Sequence, residues 1–138
     1  MSKVTHANRL VCKTAEMALP QQELKVRTKT FALAVLRLYR SLPHAADIQV
    51  LGKQLIRSAT SVAANHRAAL RGRSRQEFTA KLGIVREEAD ESQFWLELLR
   101  DSGLVCREKI DPLMKEATEL TAIFTAAYET AKQKRSAG

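Results

Sequence analysis

Apolar residues return at alternating steps of three and four along four separate stretches of this chain, and that rhythm constrains its fold more than any other feature. Leu24, Thr28, Phe31, Val35, Leu38 and Leu42 carry it in the first stretch; Ile48, Leu51, Leu55, Ser58, Val62, Asn65 and Ala69 carry it in the second. Phe78, Leu82, Val85, Ala89, Ser92, Leu96 and Leu99 follow, then Ile110, Leu113, Ala117, Leu120, Phe124, Ala127 and Ala131. Such steps average close to one helical turn, so each set forms a single stripe on an α-helix. A stripe that stays in phase this long belongs to a helix packed nearly parallel to its neighbours.

The punctuation agrees. Pro43, Gly72 and Gly103 stop the first three stretches. The predicted helices cover residues 22–42, 47–71, 75–102 and, for the fourth, up to about residue 134. Asp47 is the expected N-cap of the second helix. Ser74 and Glu77 form an S-x-x-E capping box before the third. The fourth helix has two possible starts: Asp111 as cap with Pro112 in the first turn, or an extra turn from Arg107 that must bend at Pro112. Short connections make neighbours antiparallel, so the expected fold is all-α, an up-down-up-down antiparallel four-helix bundle. At 138 residues the chain suits one domain, and five Gly and three Pro are too few for a turn-rich β protein. The bundle takes residues 21–134. Residues 1–20, with Lys3, Arg9 and Lys13 but no clean period, read as a flexible basic arm, and residues 135–138 as a frayed tail.

Catalytic and metal chemistry finds no foothold. His6, His44 and His66 have no metal-ligand spacing, the E-x-x-H pairs of di-iron bundles are missing, and no nucleophile motif occurs. Cys12 and Cys106 read as two free thiols in a reducing compartment. With neither a signal-peptide pattern nor an apolar stretch of membrane length, the expectation is a cytoplasmic protein that uses no cofactor or metal and is not an enzyme.

Charge is the most informative surface property. Lys and Arg number 23 and Asp and Glu 15, a net charge of +8, which favours a polyanionic partner. The excess is uneven: residues 44–75 carry six basic side chains and one acid, residues 76–111 five and nine. Opposite the core stripe of the second helix, Lys53, Arg57, Arg67 and Arg71 run into Arg73 and Arg75 of the following loop. This ridge contains no acid of its own and is the candidate phosphate-binding surface, although charge runs are commonly plain solvated faces.

Two helices also carry apolar residues away from their core stripes. These are Val26, Leu33 and Leu36 on the first, and Ile84, Phe94, Trp95 and Leu98 on the acidic third. Diagonal helices present their outer faces to opposite sides of a bundle. These patches therefore predict a head-to-tail contact between copies, which can close into a ring. Ser58, Ser61 and Asn65 are polar residues at or beside core positions. They are expected to hydrogen-bond between helices or set register, with a polar ligand site as the alternative.

The run RSATSVAANHRAALRGRSRQEF, continued through Leu82 and Glu91, resembles the bacterial four-helix-bundle proteins of intervening sequences in 23S ribosomal RNA genes. The accessory variability proteins of diversity-generating retroelements look like relatives. The likeness rests on Arg57, Ser58, Ser61, Asn65, Arg73, Ser74, Glu77, Phe78, Leu82 and Glu91, and covers most of residues 22–130. Ala68 and Ala69 depart from the acid and glycine found in some members, and Arg71–Gly72 inverts a common Gly–Arg. The resemblance implies a homo-oligomeric ring, pentameric in characterised relatives, with a basic surface that binds RNA or DNA; in the retroelement proteins the ring also binds a reverse transcriptase. The functional expectation is thus a non-enzymatic, nucleic-acid-binding scaffold of weak sequence specificity. A protein-interaction adaptor, for a reverse transcriptase or another partner, is the alternative.

Overall fold

The computed structural model describes residues 20–137, which form four helices: α1 Pro20–Arg40, α2 Ala46–Leu70, α3 Arg75–Asp101 and α4 Arg107–Ala137. The basic arm of residues 1–19 lies outside the described residues. Linkers of four or five residues turn each helix back along the one before it. Packing is most extensive between α2 and α3 and between α3 and α4; α1 lies on α2 and closes more lightly on α4. The bundle is therefore up-down-up-down, with α1 and α3 on a diagonal.

The α1 and α4 stripes are buried as their spacing predicts, from Leu24 to Leu42 and from Ile110 to Ala131. In α2 the alternation is different. Ile48, Leu55, Val62 and Ala69 are buried, but between them stand Gly52, Ala59 and His66, with Ser58. Leu51 and Asn65 are only half-buried. The reason is that α2 packs against α1 and α3 at once, so its buried stripe is wider than a two-position seam. Small residues on its inner edge let α1 approach. A Cβ on Gly52 would lie 2.7 Å from Leu42 Cδ1 and 2.8 Å from Tyr39 Cδ1. In α3, Thr79 is buried, and Phe78 packs on the core half-exposed.

The helix ends correct the expected boundaries. Helix α1 stops at Arg40, and Leu42 reaches the core from the turn beyond it. Ala45, not Asp47, is the N-cap of α2. Asp47 sits inside the first turn, its Oδ1 accepting from the Ile48 N–H at 2.8 Å, where a negative charge still suits the helix dipole. The Ser74 cap of α3 holds: its Oγ accepts from the Glu77 N–H at 3.1 Å. Glu77 reaches back one residue further than the standard box, to the Arg73 N–H at 2.8 Å. Gly103 follows α3 with φ +74°, a conformation that favours glycine. Helix α4 takes the longer alternative, starting at Arg107 with Pro112 inside it. It continues to Ala137, beyond the predicted limit of 134. Arg27 clips α1 to α4, its Nε and Nη2 donating to Glu116 at 2.8 and 2.7 Å.

Candidate functional site

All six cations of the predicted ridge are exposed, but they do not form one surface. On a helical wheel Arg57 and Arg67 lie about 80° apart. Arg57 leans toward α3, where its Nη1 donates to Glu88 Oε2 at 3.0 Å and its Nη2 pairs with Glu91. The ridge has no acid in sequence, yet α3 supplies two in space. The packing that neutralises Arg57 was invisible along the chain. Arg67 and Arg71 face the other way, into an open groove of about 1030 Å³ between α1 and α2. Lys25, Lys29, Val26, Leu33 and Leu36 line its α1 side.

Arg73 in the α2–α3 turn and Arg75 at the first position of α3 stand at the end of the bundle where α4 finishes. They line a second, smaller hollow of about 360 Å³ with Ser74, Phe78 and Lys134. Lys134 was not among the sequence candidates; only antiparallel packing of α4 brings it 59 positions back along the chain to Arg75. Among the described residues, no carboxylate forms an ion pair with Arg67, Arg71, Arg73, Arg75 or Lys134. Glu77 is the carboxylate in this turn, its Oε2 accepting from the Arg73 N–H, so the end keeps an excess of positive charge.

The apolar candidates divide. Val26, Leu33, Leu36, Ile84, Phe94 and Leu98 are exposed, Val26 by 66% and Phe94 by 50%. Trp95 is half-buried and packs on the core, with its Nε1 donating to Glu91 Oε2 at 2.9 Å. The Phe94 ring meets it edge-on at 5.0 Å. The sequence did not single out Val50 or Leu104, which are also exposed.

The polar residues separate as well. Ser58 Oγ and Ser92 Oγ hydrogen-bond at 2.9 Å across the buried α2–α3 interface; one hydroxyl donates to the other, and the accepting one donates its own proton to a carbonyl of its own helix, Leu55 for Ser58 or Glu88 for Ser92. Ser61 and Asn65 do not cross between helices: the Asn65 amide donates to the Ser61 carbonyl and Oγ at 3.0 and 2.8 Å. Neither the α1–α2 groove nor the smaller hollow takes in Ser58, Ser61 or Asn65. The residue that periodicity missed is His66, fully buried, with Nε2 2.9 Å from Gln21 Oε1 and the ring 5.3 Å from that of Phe124. Among the described residues its Nδ1 has no hydrogen-bond partner. Burial, reinforced by the charge of Lys25, lowers its pKa to about 4, so the ring is neutral at ordinary pH.

Among the described residues, no group of three or more His, Cys, Asp or Glu could hold a metal, and no helix is long and apolar enough to cross a membrane. The family model of the 23S rRNA-intervening sequence proteins matches residues 21–126. The crystal structure of a protein of unknown function from the S23 ribosomal protein family, from Bacteroides thetaiotaomicron, superposes with a TM-score of 0.74 at 32% identity, covering 80% of this chain and 99% of that one. None of the curated proteins compared with the chain matches it.

Proposed function

This chain belongs to the family of 23S rRNA-intervening sequence proteins, and from that premise we propose that it is a non-enzymatic, homo-oligomeric scaffold that binds nucleic acid. The copies form a ring, five being the number implied by the resemblance to pentameric relatives. The observation that carries the nucleic-acid reading is the net-positive cluster of Arg73, Arg75 and Lys134 around one hollow at the end of the bundle. Two guanidinium groups and an ammonium suit successive phosphates of a nucleic-acid backbone. Phe78 is the one aromatic ring lining the hollow, and it is half-buried on the core, so there is no platform for stacking bases. Recognition is therefore of backbone charge, with little sequence preference. A ring repeats the cluster in every subunit and strengthens weak contacts by avidity.

The double substitution Arg73→Glu, Arg75→Glu tests this. Both side chains are exposed and outside the core, so helicity and oligomer mass should persist while affinity for single-stranded RNA falls at least tenfold. Unchanged affinity would contradict the assignment. If the wild type binds neither RNA nor DNA, the end is a protein-docking face, and the adaptor role, for a reverse transcriptase such as the retroelement proteins bind or for another acidic partner, replaces it.

A further inference from the structure

We infer that the α1–α2 groove is the receptor for helix α3 of a second copy of this chain, and that Lys29, Arg67 and neighbouring cations are there to pair with that helix and not with phosphate. The inference rests on the oligomeric part of the proposed function and gives it a specific site.

Charge complementarity selects the occupant. The groove has an apolar stretch, Leu33 and Leu36, continued by a cationic stretch, Lys25, Lys29 and Arg67. Helix α3 carries the matching series in the same order: apolar Phe94 and Leu98, then Asp90 and Glu87 toward its N-terminus. All four α3 side chains are exposed, and among the described residues neither Glu87 nor Asp90 forms an ion pair within its own subunit. The spacing agrees as well. Phe94 placed against Leu33 leaves Asp90 one turn further along, level with Lys29, and Glu87 about two turns along, beside Lys25. The arriving helix would run parallel to α1 and antiparallel to α2.

Position in the bundle decides the symmetry. Because α1 and α3 are diagonal, the groove and the α3 face lie on different sides of one subunit and cannot satisfy each other within it. Each copy therefore gives α3 to one neighbour and receives it from another, a heterologous contact that propagates until it closes. The ridge seen in the sequence then has three fates. Arg57 pairs inside the subunit, Arg67 pairs between subunits, and Arg73 and Arg75 remain free for nucleic acid.

Mixing two complementary defective chains tests the inference. Leu36→Asp spoils the groove but leaves α3 intact; Phe94→Asp spoils α3 but leaves the groove intact. Both positions are exposed, and circular dichroism checks that each variant keeps its helices. Each alone should be a monomer by light scattering. Their equimolar mixture should give a one-to-one dimer and nothing larger, because only one groove–helix contact can form. A mixture that stays monomeric, or single variants that keep the wild-type mass, would overturn the groove assignment while leaving oligomerisation standing. A monomeric wild type would overturn the oligomeric reading itself. As a second variant, Arg67→Glu should lower the oligomer mass, and Arg67→Lys should preserve it; equal masses for the two would also count against the inference.

Discussion

Lowering the pH from 7 to 4 should destabilise the bundle through a single buried ring. His66 is buried between the start of α1 and Phe124 of α4; among the described residues Nδ1 has no hydrogen-bond partner, and Lys25 lies close enough to oppose a second positive charge. The folded protein accordingly holds its proton only below about pH 4, against 6.5 for a free histidine. Between these values the unfolded chain binds the proton and the folded one does not, so stability falls as pH falls. Each decade of proton affinity is worth about 1.4 kcal/mol, so the full loss by pH 4 is about 3 kcal/mol. The assay is urea unfolding of the wild type and of His66→Leu at several pH values. Carboxylates titrate in both proteins, so the difference between them isolates the histidine. His66→Leu should gain on the wild type by about 3 kcal/mol on going from pH 7 to 4, and no gain would refute the burial argument. Above about pH 7.5, where the histidine is neutral in both the folded and the unfolded chain, the difference between the two should be constant.

Other expectations follow from the core. Ser58→Ala should cost about 1 kcal/mol, whereas Ser58→Ala with Ser92→Ala should cost less than the sum of the single changes, because no unpaired hydroxyl is left behind. Asn65→Ala should change stability by less than about 1 kcal/mol, since its bonds stay within α2 and alanine favours the helix. Gly52→Ala should destabilise by about 1–3 kcal/mol as its Cβ meets Leu42 and Tyr39. Denaturant titrations at neutral pH check all three.

The α1 and α4 stripes could be read residue by residue because each of these helices buries one compact face of large side chains. Helix α2 could not, because it is sandwiched, and its second row is built from Gly52, Ala59 and His66. The strict repeat points to Leu51 and Asn65, but a glycine that admits a neighbouring helix carries no hydrophobic signal. The six ridge cations were legible as charges; their separation into paired Arg57, groove-lining Arg67 and free Arg73 depends on which helix stands beside each. Lys134 joined the cluster only through folding. Glu88 and Glu91, dense and surface-phased in sequence, gave no hint that they reach across to α2.

Wild-type binding to single-stranded RNA should weaken steeply as salt rises. Each phosphate neutralised contributes about 0.7 to the slope of log affinity against log salt, so the three cations of one subunit predict a slope of about −2, steeper if several subunits engage one strand. Fluorescence anisotropy of a labelled oligonucleotide between low and moderate salt gives the slope. A value of that size, similar for unrelated sequences, is the predicted result; binding that ignores salt, or no binding even at low salt, would contradict it.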